Sequence, residues 1–225
     1  MIKAVFFDWL NTIARPEPDR HILFSRIAQE LGVEAPAHKL IRAIYNAESR
    51  EPAGAPPRWS EGKDEAPFIR YQEVLWAEVG VRLSREVMLE FARRISRLVR
   101  GGGVAWVLYD DVLPIMKTLK RRGLILGLIS NLIIGDVGLE SYLDVIVTAG
   151  DVGADKPDPP IFLAALERAG VDASEAVYIG DQYETDIVGA RGVGIKPILI
   201  DRYDLMPEVS DCPRIHSLSE VVQYL

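Results

Sequence analysis

Residues 1–12 read MIKAVFFDWLNT, and this opening stretch carries the strongest fold signal of the chain. The apolar run Ala4–Phe7 predicts a buried strand, and Asp8 directly follows it. Thr12 comes four residues after that aspartate. Ligands bind at the carboxyl edge of the sheet in open α/β folds, so the pattern predicts a nucleophilic or ligand-binding carboxylate at that edge.

Similar apolar runs recur from residue 104 onward and alternate with amphipathic segments. Asp158 before Pro159 indicates the start of a helix, and Gly170 suits its end. Runs with little polar alternation are typical of a parallel sheet that is covered on both faces. The pattern therefore predicts an α/β fold with a doubly wound parallel sheet. Its later strands are predicted at Leu124–Ile129, Val145–Val147, Ala176–Ile179 and Pro197–Ile200.

Residues 15–103 have a different pattern, with helix signals almost throughout. A stretch rich in proline and glycine, Glu51–Gly62, divides this region. We therefore predict a core domain formed by residues 1–14 and 104–225, with an α-helical domain, 15–103, inserted after the first strand. An insertion at that point is expected to hang over the carboxyl edge of the sheet. The predicted helices are Asp19–Leu31, Ala37–Ser49, Asp64–Val79 and Ser84–Arg100.

Composition argues against several classes of protein. The formal net charge of −7 disfavours nucleic-acid binding, which needs clustered lysine and arginine. Cys212 is the single cysteine, so no internal disulfide forms, as expected in a reducing compartment. The apolar run at the N-terminus is too short for a signal peptide, and no stretch approaches the ~18 apolar residues of a membrane-spanning helix. We expect a cytoplasmic protein that binds neither nucleic acid nor membranes.

Four short motifs lie at the ends of predicted strands. Each is weak alone, because an aspartate or serine at such a place often serves only as a turn or cap residue. Together, in their order and placement, they resemble the haloacid dehalogenase-like (HAD) hydrolase superfamily, in the subfamily with a helical cap inserted after the first motif. The resemblance covers essentially the whole chain. The motifs are Phe7-Asp8 with Thr12, Ile129-Ser130-Asn131, Lys156-Pro157-Asp158-Pro159, and Ile179-Gly180-Asp181 with Asp186.

The resemblance implies a Rossmann-like core and a phosphatase that acts on a small phosphorylated metabolite. Asp8 would attack phosphorus and form an aspartyl-phosphate, which splits hydrolysis into two easier steps. Lys156 would also offset negative charge beside Asp8. The implied ligands of Mg²⁺ are Asp8, the backbone carbonyl of Leu10, Asp181 and Asp186, the last as a ligand or an outer anchor. The implied phosphate-binding residues are Thr12, Ser130, Asn131 and Lys156.

The chain departs from the family pattern at Leu10, where family phosphatases carry a second aspartate. That aspartate protonates the leaving oxygen and later activates water, and general acid–base groups contribute ~10²–10⁴-fold in rate. We therefore expect slow hydrolysis of alkyl phosphates unless the inserted domain supplies a substitute. Asn11 stands where glycine is usual, and asparagine tolerates positive φ better than most residues. The candidate substitutes are Glu61, Lys63, Asp64 and Glu65.

The loss of that aspartate keeps a 2-haloacid dehalogenase open as an alternative, because halide leaves without a proton. Such an enzyme needs an arginine for the substrate carboxylate, and Arg42 or Arg70 could serve. Against this alternative, the fourth motif is acidic and suited to a metal, whereas dehalogenases place serine and asparagine there.

Two further alternatives also remain open. Phosphonoacetaldehyde hydrolases open with a similar Asp-Trp pair and form a Schiff base on a desolvated lysine of the cap, for which Lys39 and Lys63 are the candidates. Alternatively, the chain is a catalytically impaired phosphate-binding protein that retains the fold and the metal site.

Overall fold

The structure is a computed structural model that describes residues 1–51, 65–131, 138–139 and 141–225. Within these residues, a π-helical turn spans Tyr183–Val188, and 3-10 turns span Ala173–Glu175 and Leu218–Tyr224. The strands and α-helices are, in chain order, β1 Ala4–Phe7, β2 Ala14–Glu17, α1 Arg20–Glu30, α2 Ala37–Glu48, α3 Ala66–Val79, α4 Arg85–Arg100, β3 Ala105–Leu108, α5 Val112–Arg121, β4 Ile125–Ser130, β5 Val145–Thr148, α6 Ala149–Val152, α7 Pro159–Ala169, β6 Ala176–Gly180, α8 Gly189–Gly192, β7 Lys196–Ile200 and β8 Arg214–Ile215.

Six of the strands form one parallel sheet in the order β5-β4-β1-β6-β7-β8. The first strand of the chain is thus central, and Ala4 pairs with Ile125 on one side and Ala176 on the other. The predicted strands coincide with β1 and β4–β7 to within one residue at each end. The prediction of an α/β fold with a doubly wound parallel sheet is confirmed.

Both faces of the sheet are buried, which explains why its strands lack polar alternation. Val5 and Phe7 of β1 belong to an apolar cluster with α5, whereas Ala4 and Phe6 belong to a second cluster with α7. Gly127 of β4 makes room for the neighbouring ring, because a Cβ atom at this position would lie 2.3 Å from Phe6 Cδ1.

The chain divides into two compact units, Met1–Arg15 with Val107–Leu225, and Pro16–Trp106. The second unit contains α1–α4, which match the four predicted helices. Aromatic rings form the centre of its core: the ring of Phe91 meets Trp76 at 5.0 Å and Phe24 at 5.2 Å, both edge-on. None of the helices in the described part of the chain combines the length and apolar character that crossing a membrane requires.

Two local features differ from the sequence-based expectation. Strands β2 and β3 pair as a separate two-stranded sheet where the chain passes between the units. The sequence of β2, ARPE, carries no strand signal, since proline and glutamate are depleted in strands. At α7, Asp158 occupies the N-cap position as predicted, but its side chain makes no capping hydrogen bond.

Candidate active site

The candidate site forms where three neighbouring strands end. Asp8 follows β1, Ser130 is the last residue of β4, and Asp181 follows β6. Because β1 lies between β4 and β6, these residues share the carboxyl edge of the sheet. The backbone N–H of Asp8 donates to the carbonyl of Ile179 at 2.8 Å, so the loop after β1 begins while still bonded to the sheet.

Three buried carboxylates meet at this edge. One carboxylate oxygen each from Asp8, Asp181 and Asp186 lie within 4.8 Å of one another. Asp186 comes from the π-helical turn after β6, and its close approach requires glycine at position 180. A Cβ atom on Gly180 would lie 2.3 Å from Asp186 Cγ. The glycine of the predicted Gly180-Asp181 motif therefore admits the third carboxylate.

The ammonium group of Lys156 is buried beside two of these acids, Asp8 and Asp186. It donates to Asp8 Oδ1 at 2.5 Å, to Asp186 Oδ1 at 2.7 Å and to the hydroxyl of Tyr178 at 2.8 Å. A lysine ammonium has three donors, and these contacts use all of them. Asn131 fixes the backbone of the same lysine: its Oδ1 accepts from Lys156 N at 2.7 Å, and its Nδ2 donates to Lys156 O at 3.1 Å.

The electrostatics of the cluster favour a bound cation. Burial raises the pKa of Asp8 to about 6, although the Lys156 ammonium lowers it, and Asp186 adds to the rise. Burial alone would lower the pKa of Lys156, but Asp186 and Asp8 outweigh it and raise that pKa above its usual value. When ionised, the three carboxylates and the ammonium have a formal charge of −2. Clustered carboxylate oxygens of this kind are the donors that hard divalent cations prefer.

The loop after Asp8 carries three further residues of the prediction. Thr12 is fully buried, and its Oγ1 has no hydrogen-bond partner among the residues that the structure describes. Its carbonyl accepts from Arg202 Nη2 at 2.8 Å. Leu10 is half-buried, and its side chain packs against the apolar cluster that contains Phe7. Asn11 has a φ of 58°, in agreement with the conformational reason given for asparagine there.

Two contacts were not predicted from the sequence. The hydroxyl of Tyr178 lies 2.9 Å from Asp186 Oδ1, to which it donates, since it accepts from Lys156. The side-chain amide of Asn11 donates to Asp181 Oδ2 at 3.0 Å. A tyrosine within the buried run AVYIG was the available signal for the first contact, because a buried hydroxyl usually has a partner.

Several residues of the second unit were candidates for assisting the chemistry. Arg42, on α2, and Arg70, on α3, have exposed side chains, and Glu65 pairs with Arg85 at 2.7 Å. Lys39 is also exposed, so it lacks the desolvation that a Schiff-base lysine needs. The other candidates, Glu61, Lys63 and Asp64, lie outside the described residues.

The parallel sheet and the carboxylates at its edge define an α/β protein with a cluster of acidic side chains at its strand ends. The family model of the haloacid dehalogenase-like hydrolases matches residues 2–194, and the chain belongs to this family. The match confirms the family predicted from the four motifs, whereas the subfamily with a helical cap stays a prediction, and phosphatases are among the relatives of the chain.

Curated relatives include a phosphoserine phosphatase from Thermus thermophilus. It is 28% identical over 246 residues, with 98% of each chain covered. The haloacid dehalogenase-like hydrolase domain-containing protein 3 of Danio rerio is 36% identical over 122 residues. That match covers 52% of this chain and 50% of the relative, and the chain spans about half the length of most curated relatives it matches.

Solved structures include members of both reaction classes. A HAD phosphatase from Thermococcus onnurineus has 26% sequence identity and a TM-score of 0.58, with coverage of 99% of this chain and 97% of the other. A 2-haloacid dehalogenase from Pseudomonas syringae pv. Tomato DC3000 gives the same four values. Overall similarity therefore does not distinguish a phosphatase from a dehalogenase, and the choice depends on the site residues.

Proposed function

We propose that the protein is a magnesium-dependent phosphatase that acts on a small phosphorylated metabolite through an aspartyl-phosphate on Asp8. The observation that carries this proposal is the cluster of Asp8, Asp181 and Asp186, in which Asp8 and Asp186 also bind the ammonium of Lys156. Its formal charge of −2 would be balanced by one divalent cation. The phosphoserine phosphatase to which nearly the whole chain is similar adds support.

In the proposed reaction, a carboxylate oxygen of Asp8 attacks phosphorus and the bond to the leaving oxygen breaks. Water then hydrolyses the aspartyl-phosphate, which releases phosphate and regenerates Asp8. Because Lys156 already uses its three donors, substrate binding must redirect one of them to a phosphoryl oxygen. Thr12 is proposed to bind a second phosphoryl oxygen. Its buried hydroxyl has no hydrogen-bond partner among the described residues, so it is available to donate to such an oxygen.

Ser130 is proposed to bind a phosphoryl oxygen from the end of β4. The side-chain amide of Asn131 bonds the backbone of Lys156 through both its oxygen and its nitrogen, so we propose that it mainly positions that lysine. The direct phosphate contact expected of its side chain stays a prediction.

The proposed residues for Mg²⁺ are Asp8, Asp181, Asp186 and the backbone carbonyl of Leu10. A bound Mg²⁺ would neutralise the phosphoryl oxygens and the attacking carboxylate. The carboxylate of Asp186 already accepts from Lys156 and Tyr178 on Oδ1 and from the N–H of Gln182 on Oδ2. We therefore propose Asp186 chiefly as the anchor of the site and Asp8 and Asp181 as its closer ligands.

We further propose that the helical unit Pro16–Trp106 is the cap predicted for residues 15–103 and that it selects the substrate. The prediction of a substitute for the missing aspartate stays open at Glu61, Lys63, Asp64 and Glu65. We propose a cytoplasmic location, because the single cysteine, Cys212, suits a reducing compartment.

Removing the metal is expected to remove the activity. With a panel of phosphoesters that includes 4-nitrophenyl phosphate, phosphate release should fall to background in EDTA and return when excess Mg²⁺ is added. The cause is the uncompensated negative charge that the substrate would meet at three carboxylates. Full phosphate release in EDTA, or no release from any ester with Mg²⁺ present, would contradict the proposal.

The hydroxyl of Tyr178 is expected to support the proposed role of Lys156. In the Tyr178→Phe variant the ring stays packed edge-on against Phe162, whereas the lysine and Asp186 each lose a hydrogen bond. Hydrogen bonds to charged groups contribute ~1.5–3 kcal/mol, so kcat should fall ~10-fold or more, with KM changed less. Steady-state kinetics with an aryl phosphate would measure both constants.

Tyr71→Phe provides the matched control for that variant. Tyr71 is a buried tyrosine of the helical unit, and within the described residues its hydroxyl has no hydrogen-bond partner. Removal of this hydroxyl should leave kcat unchanged. Equal kcat values for the Tyr178→Phe variant and the wild type would show that the hydroxyl does not assist the lysine.

A 2-haloacid dehalogenase remains the second candidate, and two observations favour it. Leu10 removes the acid that alkyl phosphates need, and one of the similar solved structures is a 2-haloacid dehalogenase. In that reaction Asp8 would displace halide from carbon and form an ester that water hydrolyses. Halide release from 2-chloropropionate in EDTA separates the candidates, because carbon–halogen displacement needs no metal at the acidic cluster.

A further inference from the structure

Asn11 combines an unusual backbone conformation with a specific side-chain contact. Its φ of 58° lies in the left-handed region, which asparagine tolerates better than most residues other than glycine. Its N–H donates to the carbonyl of Ala14 at 2.8 Å, so the residue lies inside a tight turn after Asp8. This turn holds the Asn11 side chain close to the carboxylate cluster.

The side chain of Asn11 connects the ends of two strands. Its Nδ2 donates to Asp181 Oδ2 at 3.0 Å and links the loop after β1 to the residue after β6. Asp181 belongs to the carboxylate cluster and is largely buried. A donor on one carboxylate oxygen restricts rotation of the carboxyl group, and hydrogen bonds of this kind orient metal-binding carboxylates.

We propose that Asn11 is a positioning residue that orients Asp181 for the metal and thereby strengthens Mg²⁺ binding. The proposal rests on the metal site of the proposed function and adds a residue to it. In this role Asn11 acts through Asp181, to which its side-chain amide donates.

The residue type at position 11 supports this role. Glycine would adopt the same φ without strain, yet it would offer no side-chain donor to Asp181. Aspartate also tolerates the left-handed region, but it would set a carboxylate against the carboxylate of Asp181. Asparagine satisfies both requirements, because it tolerates the turn and supplies a neutral donor. The replacement of the usual glycine at this position therefore has a physical consequence at Asp181.

The test is the affinity for Mg²⁺ alone, measured by isothermal titration calorimetry on wild type and on the Asn11→Gly variant. Glycine keeps the turn and removes only the amide, so the dissociation constant should rise ~10-fold, the lower end of the usual effect of losing an outer partner of a metal ligand. Asn46→Ala is the matched control. It removes an amide that also donates to a carboxylate, Glu78 Oε2 at 3.0 Å, but lies in the helical unit. This control should bind Mg²⁺ as the wild type does.

Thermal unfolding separates positioning from a general structural role. In EDTA the Asn11→Gly variant should melt within a few degrees of the wild type, and saturating Mg²⁺ should raise its melting temperature less than that of the wild type. If the wild type binds Mg²⁺ and the Asn11→Gly variant has the same dissociation constant, this inference alone is overturned. A wild type that does not bind Mg²⁺ at millimolar concentration would instead overturn the metal site of the proposed function, and this inference with it.

Discussion

The Asp8→Asn variant is expected to lose hydrolytic activity by ~10⁴-fold or more while keeping its fold, because an amide cannot replace the attacking carboxylate. Asparagine has nearly the same shape and leaves the strand end and its bond to Ile179 in place. The measurement is phosphate release with Mg²⁺ and, separately, halide release from a 2-haloacid. Turnover close to wild type would contradict both candidate functions, because each assigns the nucleophile to Asp8.

Stability should respond in a different way from activity. Neutralising Asp8 takes an ion-pair partner from Lys156, which costs stability, but Asp186 and Tyr178 still hold the lysine. It also removes repulsion from the other two carboxylates. Without metal, we therefore expect a melting temperature near that of wild type. Asp110→Asn is the matched control, since this exposed aspartate precedes α5, and its substitution should leave activity unchanged.

The sheet was predictable because its strands are buried on both faces. In β1, Val5 and Phe7 meet one apolar cluster, and Ala4 and Phe6 meet the other, so an uninterrupted apolar run was required. Strand β2 was not predictable from its own sequence. It contains Pro16 and becomes a strand through pairing with β3, a contact far away in sequence. Local propensity cannot reveal such pairing.

The sequence was sufficient to predict which site residues lie at the ends of strands. The order of the motifs indicated that Asp8 and Asp181 approach each other, and the structure has them in one cluster with Asp186. The hydrogen-bond network was not predictable in the same way. Tyr178 lies in a run that is otherwise apolar, and the donor role of Asn11 depends on the φ of its own turn. Such contacts depend on side-chain directions, which sequence spacing alone does not specify.

Leu10→Asp is expected to raise turnover of alkyl phosphates most. If the proposed phosphatase lacks its general acid, the cost grows with the basicity of the leaving oxygen. An aryl or acyl phosphate leaves with little need of a proton, whereas a sugar alkoxide needs one. We therefore expect wild type to hydrolyse 4-nitrophenyl phosphate and to be slow on glycerol phosphate. Aspartate at position 10 should increase the rate on the alkyl ester ~10-fold or more.

The structure also shows how this variant should be designed. Leu10 packs against the apolar cluster that contains Phe7, so the substitution costs some stability, and the melting temperature of the variant must be measured alongside its activity. The family pattern alone recommends a second change, Asn11→Gly, but that change would remove the amide that donates to Asp181. The single variant is therefore the cleaner test.

The matched control is Leu10→Asn, because asparagine has nearly the same shape as aspartate but cannot act as a general acid or base. If wild type already hydrolyses both esters well and Leu10→Asp gives no increase over Leu10→Asn, the proton donor lies elsewhere. The acidic residues Glu61, Asp64 and Glu65 would then be the first positions to replace.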